Sequence, residues 1–331
     1  MRALVTGGCG FIGSNLVKKL VSLGWKIDVV DDLSNGDIEN ISPIDIRVVT
    51  PGLLNGYDSS RESGKTLVIT GDFASPQVLS RVVEKKYDIV FHLAALPRVE
   101  YSVKNPVITT EQNVTKTVLL MTACIDNIKR LVFSSSSAIY GNSEDNFPSL
   151  ELGQSSPESP YALQKRVVED YCSLYSRIYG LDSICLRYFN AYGPGQLGDS
   201  PYSTAISAWM DKIKKGLPLR SDGDGEQTRD MIYVDDIVEA NLIASLQEGK
   251  FDGDIFNIGT GKSYSNNYII ELLGENFELN IVKAPERLGD VKHTRADVSK
   301  AENVLGFKSR VGLKKGLQKT IEWWGLNEKQ S

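Results

Sequence analysis

Through the first half of the chain, short and nearly continuous runs of aliphatic residues alternate with longer stretches in which apolar positions recur at helical spacing. Unbroken apolar runs belong to strands buried on both faces, and their alternation with helix-period segments predicts a parallel sheet covered by helices. The expected strands are Arg2–Thr6, Lys26–Val30, Thr66–Thr70, Asp88–Leu93, Arg130–Ser134 and Ser183–Arg187. Helices are expected over Phe11–Leu23, Pro76–Lys85, Pro106–Asn127 and Pro160–Tyr179. The stretch Ser34–Lys65 carries too many Pro, Gly, Ser and Asn residues for one element and reads as a long connection with a short helix.

Beyond Arg187 the rhythm changes, because Gly and Pro interrupt the chain at 192–195, 216–218 and 222–225. The predicted fold is therefore α/β, a Rossmann-type doubly wound parallel sheet with a smaller C-terminal α/β substrate domain. Residues 1–187 form the first domain and 188–331 mainly the second, with a stretch near 229–260 returning to the first. A ligand is expected in the cleft outside the carboxyl ends of the strands.

Composition narrows the function classes. With 41% hydrophobic and 24% charged residues, and no apolar run approaching about eighteen, the 331-residue chain reads as a globular protein without a membrane span. Its formal charge of −5 is dispersed, so neither nucleic acid nor a membrane surface is an expected partner. Cys9, Cys124, Cys172 and Cys185 lack metal-ligand spacing, and His92 and His293 are the only histidines, so no metal site is expected. Because Met1–Val5 runs directly into a strand, a cytoplasmic location is expected.

Gly7, Gly10 and Gly13 follow the first strand and open the first helix. A tight turn at Gly7, close approach of a pyrophosphate at Gly10 and close helix–strand packing at Gly13 are what a dinucleotide loop requires. The spacing is one residue wider at its start than Gly-x-Gly-x-x-Gly. The second strand ends at Asp31, whose carboxylate suits an adenosine ribose hydroxyl and repels a 2′-phosphate, so NAD is expected over NADP. Asp72, in Gly71-Asp72-Phe73, suits either the adenine amino group or the start of the helix near Pro76.

Of fourteen tyrosines, Tyr161 alone has a lysine four residues later, Lys165, which places both on one helix face. Positive charge from Lys165 and a nicotinamide is expected to lower the phenol from its usual value near ~10 toward that of a general base. The strand before it ends in four serines, Ser134 to Ser137. Ser136 is the expected partner of the substrate hydroxyl, while local hydrogen bonding accounts for the other three.

Together these motifs resemble the extended short-chain dehydrogenase/reductase family, most closely its UDP-sugar 4-epimerases, and the likeness covers nearly the whole chain. It implies cofactor contacts from Gly7, Gly10, Phe11, Ile12, Gly13, Asp31, Asp72, Phe73, Leu93, Ala94, Ala95, Tyr161 and Lys165. It implies catalysis by Ser136, which lies twenty-five positions before Tyr161, together with Tyr161 and Lys165. It further implies that Asn190 holds the diphosphate or sugar, that Arg229 and Arg287 clamp the UDP phosphates, and that Asp290 takes the uridine ribose. The family's 4,6-dehydratases and decarboxylases carry an acid in the strand-end turn, where this chain has Ser136-Ser137-Ala138.

The implied reaction is inversion of C4 through a 4-keto sugar with recycled NAD. Thr294 matches a pocket position where a small residue admits N-acetylhexosamines, so UDP-GlcNAc/UDP-GalNAc and UDP-Glc/UDP-Gal are the expected substrates. Arg98 offers a contact to a carboxylate, which would make UDP-glucuronate the substrate instead. A one-way reductase and a non-catalytic NAD- or nucleotide-sugar-binding protein are the rival classes. A homodimer through the helices near Pro106–Asn127 and Pro160–Tyr179 is implied, although Val114, Val118 and Met121 are equally explained by packing on the sheet.

Overall fold

The computed structural model describes residues 1–54, 64–97, 99–142, 146–199, 204–285 and 291–326. Seven strands run in chain order as β1 (Arg2–Thr6), β2 (Lys26–Asp31), β3 (Ile46–Val49), β4 (Thr66–Thr70), β5 (Ile89–His92), β6 (Arg130–Ser136) and β7 (Ser183–Tyr188). The helices among them are α1 (Phe11–Ser22), α2 (Pro76–Val83), α3 (Val99–Lys104), α4 (Pro106–Thr110), α5 (Lys116–Cys124) and α6 (Pro160–Tyr179). The later strands are β8 (Asn190–Tyr192), β9 (Leu219–Asp222), β10 (Thr228–Arg229), β11 (Met231–Tyr233), β12 (Asp254–Ile258), β13 (Tyr264–Ser265) and β14 (Ile281–Ala284). The later helices are α7 (Ala205–Lys214), α8 (Val234–Leu246), α9 (Asn266–Gly274) and α10 (Leu313–Trp323).

Eight strands form one sheet in the order β12-β7-β6-β5-β1-β2-β4-β3. β1 pairs in parallel with β2 on one side and with β5 on the other, Thr6 lying opposite Val30 and His92. The chain thus winds outward in both directions from β1, and the ends of β1 and β5 form the switch point at which a loop has room to hold a ligand. Ala3, Leu4 and Val5 are all fully buried, as a strand covered on both faces demands. On one face Leu4, Val30, Ile69, Val90, Leu131 and Phe133 pack with Val78 and Val82 of α2, Met121 of α5, and Val168 and Cys172 of α6. Each such aliphatic side chain contributes about 1.5–3 kcal/mol by leaving water.

Contact clustering divides the chain into two compact units. The first comprises Met1–Ser136, Ser159–Arg187 and Val238–Phe256; the second comprises Ser137–Glu158, Tyr188–Ile237 and Asn257–Ser331. The segment Ser137–Glu158 joins the second unit, whereas the sequence gives no sign of a departure from the first domain there. In the second unit β8 pairs in parallel with β11, β9 with β14, and β10 antiparallel with β13.

Two elements differ from their sequence signatures. The connection Ser34–Lys65 carries a 3-10 turn at Ile38–Ile41 and also the strand β3, paired in parallel with β4 at the sheet edge. β3 has only four residues, with Arg47 and Val48 exposed, so no burial pattern marks it between Pro43 and Pro51. The single helix expected over Pro106–Asn127 is α4 and α5 joined by a π turn at Glu111–Thr115, and it stops at Cys124.

Arg130, at the start of β6, is a buried cation held at its own expense. Its Nε donates to Asp182 Oδ2 at 2.7 Å, and its Nη1 donates to the carbonyls of Ala244 and Gln247, within and just beyond the last turn of α8. Asp182 also accepts from the Phe251 N–H at 2.8 Å. Removing one partner leaves the other charge uncompensated, so Asp182→Ala is expected to cost about 3–5 kcal/mol. A urea titration should show a lowered midpoint with little change in slope.

Candidate active site

The glycine loop is built by close approaches. Gly7 has φ +70, and a Cβ there would stand 2.7 Å from the Ala94 backbone nitrogen. At Gly13 a Cβ would stand 2.0 Å from the Gly7 carbonyl oxygen, so any side chain would break the loop. At Gly10, by contrast, a Cβ would meet only the Gly7 oxygen, at 3.3 Å, and the outer side of the turn is open. Gly10 is the N-cap of α1, with no side-chain cap and no acidic residue in the first turn, where Phe11, Ile12 and Gly13 lie. Uncapped N–H groups at a positive helix end, beneath a turn that no side chain fills, fit a dinucleotide pyrophosphate.

Asp31 is 7% exposed, and its Oδ2 accepts from the Cys9 N–H and its Oδ1 from the Leu33 N–H, both at 2.9 Å. Burial pushes its carboxyl up and these bonds pull it down, with burial the larger effect. It therefore braces the glycine loop while keeping lone pairs that suit ribose hydroxyls. Asp72 accepts from the Ala74 N–H at 2.9 Å and pairs with Lys116 at 2.7 Å. The N-cap of α2 is Ser75, so Asp72 stands in the turn before that helix.

His92, at the end of β5, ties both sides of the switch point together. The Thr117 hydroxyl donates to the Asn113 carbonyl, so toward His92 Nε2, 2.8 Å away, it has only lone pairs to offer. Nε2 therefore carries the proton, and Nδ1 accepts from the Thr6 hydroxyl at 2.7 Å. Thr6 Oγ1 in turn accepts from the Ala94 N–H, and the Leu93 N–H donates to the Thr6 carbonyl. Burial, and then Lys165, hold the imidazole down at about 3, so it stays neutral. Phe73 packs against its ring, with centroids 4.9 Å apart. Ala95 lies in the loop that follows, which Asn113 of the π turn clamps by bonding both the N–H and the carbonyl of Leu96. Asn113 gave no sequence signal, because a π turn has no spacing rule to reveal it.

α6 carries the next group. Ser159 caps it by accepting from the Ala162 N–H at 3.2 Å, Pro160 occupies its first turn and Gly180 closes it. Tyr161 and Lys165 both lie on its buried face. The Ser136 hydroxyl hydrogen-bonds the Tyr161 phenol, and Lys165 Nζ donates to the Ser134 carbonyl at 2.6 Å. The same ammonium lies 4.8 Å from the centre of the Phe133 ring and 5.9 Å from that of Tyr161.

The expected lowering of the phenol is not found in the protein alone. Burial pushes Tyr161 up to about 12, the Ser136 bond acting in the opposite direction. Burial also brings Lys165 down to about 8, against the pull of Glu169. Lys165 thus remains mostly protonated at neutral pH, yet its charge does not offset the burial of the phenol, and lowering Tyr161 further requires another cation.

In the second unit Asn190 Nδ2 donates to Thr294 Oγ1 at 2.9 Å, and the Asp230 N–H donates to the same oxygen at 3.0 Å. Asp230 is fully buried; its carboxylate accepts from the Thr260 N–H and hydroxyl and from the N–H groups of Gly261 and Ala296. Arg229 Nη1 donates to the carbonyls of Thr228 and Lys292. Asn190 and Thr294 thus meet at the backbone of Asp230, a buried acid that sequence reading overlooked, and Arg229 precedes it in the chain. Arg98, Arg287 and Asp290 lie outside the described residues.

Residues 3–259 match the NAD dependent epimerase/dehydratase family. The chain is 33% identical to the UDP-glucose 4-epimerase of Mycolicibacterium smegmatis, covering 98% of each chain. It is 34% identical to the UDP-glucuronate 4-epimerase of Thermodesulfobacterium geofontis, over 97% of this chain and 95% of that protein. The solved UDP-N-acetylglucosamine 4-epimerase of Methanobrevibacter ruminantium M1, in complex with UDP-N-acetylmuramic acid, superposes with a TM-score of 0.85 at 34% identity, over 98% of this chain and 97% of that one. With its parallel doubly wound sheet, its glycine loop and this breadth of similarity, the chain belongs to the NAD dependent epimerase/dehydratase family.

Proposed function

We propose that the protein is an NAD-dependent UDP-sugar 4-epimerase, an isomerase that inverts C4 through a 4-keto sugar. The observation that carries this reading is the convergence of the Ser136 hydroxyl, the Tyr161 phenol and the Lys165 ammonium where β6 ends against α6. Tyr161, as phenolate, takes the proton of the sugar 4-hydroxyl, and Ser136, bonded to the phenol, holds that hydroxyl in line. Lys165, anchored on the Ser134 carbonyl, supplies positive charge to the developing oxyanion. NAD, when held by the glycine loop, would supply hydride exchange at C4, and the keto sugar would turn over so that its other face is reduced. Tyr161 then gives the proton back, so no oxidant or reductant is consumed. The turn Ser136-Ser137-Ala138 presents hydroxyls rather than the carboxylate that elimination or decarboxylation requires.

The cofactor residues assigned are Gly7, Gly10, Phe11, Ile12, Gly13, Asp31, Asp72, Phe73, Leu93, Ala94 and Ala95. Arg229, Arg287 and Asp290 are assigned to the UDP moiety, Asn190 to the diphosphate or the sugar, and Thr294 to the sugar. The small side chain of Thr294 supports UDP-GlcNAc/UDP-GalNAc with UDP-Glc/UDP-Gal as the substrates. UDP-glucuronate is the second reading, supported by the relative that epimerises it and by Arg98. Tyr161→Phe is expected to reduce turnover by about 10²- to 10⁴-fold with UDP-sugar binding retained. A coupled assay should show turnover of the hexose and N-acetylhexosamine substrates; turnover of UDP-glucuronate alone overturns that preference, and unchanged turnover in Tyr161→Phe overturns the role of the phenol.

The assembly we propose is a homodimer in the cytoplasm. Val107 of α4, Leu119 of α5, and Leu163 and Ile178 of α6 are 47–78% exposed, and a second copy pairing through these helices would cover them. Four buried free thiols are in keeping with a reducing compartment. Sedimentation at micromolar concentration should report twice the chain mass, and a monomer there refutes the dimer.

Keeping Lys165 charged has a cost. Its value of about 8 lies below the ordinary 10.5, so between these pH values the unfolded chain binds more protons and stability rises with pH; below 8 the full cost is present. Lys165→Met should abolish turnover yet stabilise the fold at pH 7 by about 2 kcal/mol, after the unpaired Ser134 carbonyl is subtracted. Denaturant melts of both proteins should show this gain shrinking as the pH rises from 8 to above 10.5.

A further inference from the structure

Two turns along α6 from Tyr161 lies an ion pair whose side chains are both wholly buried. The Arg187 guanidinium of β7 donates from Nε to Glu169 Oε1 at 2.8 Å and from Nη2 to Glu169 Oε2 at 2.7 Å, and both side chains are 0% exposed. Glu169 Oε1 accepts a further bond from the Ser135 hydroxyl at 2.6 Å. Ser135 continues the row Leu131, Phe133 along β6, all of it facing the core, at a position where an apolar residue would be ordinary.

A buried ion pair is a poor device for stability, because apolar residues of equal volume generally do as well or better. What they cannot do is hold a hydroxyl. The end of β6 is attached to α6 at three places: Ser136 to Tyr161, the Ser134 carbonyl to Lys165, and Ser135 to Glu169. Residues 161, 165 and 169 stand at successive i, i+4 positions on one helix face. Two of these attachments belong to the proton-transfer group. The third, aimed away from it, is the one that Arg187 makes rigid.

We infer that Glu169, clamped by Arg187 and bonded by Ser135, is a positioning residue that locks the serine end of β6 against the face of α6 bearing Tyr161 and Lys165. The inference rests on the epimerase reading for its kinetic consequences, although the geometry is independent of it. Glu169 also acts on Lys165 through charge, favouring the ammonium. The ionisable groups bearing on Lys165 from its surroundings are Tyr161 and Glu169 on its own helix, Cys185 and, through Glu169, Arg187 on β7, and His92 on β5.

Ser135→Ala tests the lock with the ion pair left whole. In the NAD-loaded protein, ultraviolet difference titration against Tyr161→Phe isolates the ionisation of this phenol. Ser135→Ala should move that ionisation to higher pH and lower kcat about tenfold with KM within about twofold, the pattern of a lost transition-state alignment. Ser135→Thr, which restores the hydroxyl, should recover most of both. Glu169→Gln should move the alkaline limb of the kcat profile to lower pH, since the carboxylate that favours the ammonium is gone. Should that variant fail to fold, Glu169→Gln with Arg187→Met removes the stranded cation, and the same loss of kcat is expected. An unchanged titration and unchanged kcat in Ser135→Ala overturn the inference, as does a Ser135→Thr protein no better than Ser135→Ala. If the wild-type protein inverts no UDP-sugar, the functional reading fails and the difference titration still decides the lock.

Discussion

Placing an ammonium beside a phenol out of reach of water is the constraint on which the rest of the structure depends. Both groups resist it in opposite directions: burial drives the phenol toward its neutral form and strips the proton from the lysine. The fold answers with fixed partners rather than with solvent. A carbonyl takes the ammonium, a serine takes the phenol, and an aromatic ring lies under the charge. None of these partners could be supplied by a loop free to move, and all come from the last four residues of β6, in the middle of an eight-stranded sheet.

The same economy of motion governs the cofactor side. Gly7, Thr6, His92 and Ala94 are joined so closely that the ends of β1 and β5 behave as one piece, with a neutral imidazole as the link. Because that imidazole both donates and accepts, protonating it would set a second donor against the Thr6 hydroxyl; its burial keeps this from happening near neutral pH. Asp31 adds a brace from the end of β2, so the helix end that suits a pyrophosphate is held from three strands.

Much of this was legible in the sequence, and the parts that were not share a cause. The six strands and the helix Pro160–Tyr179 announce themselves through apolar runs, a capping serine and a proline in the first turn. The glycine triplet and Tyr161-x-x-x-Lys165 are local patterns, so they survive without knowledge of the fold. β3 was missed because a four-residue edge strand owes its existence to β4 rather than to its own residues. Asn113, Glu169, Arg187 and Asp230 were missed because each works through partners seventeen or more residues away. A charged residue in an apolar run, as in Ile184-Cys185-Leu186-Arg187, is the one signal that could have raised Arg187, since an arginine in a buried strand needs a partner somewhere.

Thr294 has a consequence for how this part of the chain can change. Its hydroxyl serves two masters, accepting from the Asn190 amide and from the Asp230 N–H. A bulkier, hydroxyl-free residue there would release Asn190 and leave the Asp230 N–H without its acceptor. The hydroxyl at position 294 and the aim of the asparagine are thus inherited together, and a substitution that removes the first must find a compensating change around Asn190. Change at this residue is epistatic by construction, because a single step that removes the threonine hydroxyl takes an acceptor from both of its partners at once.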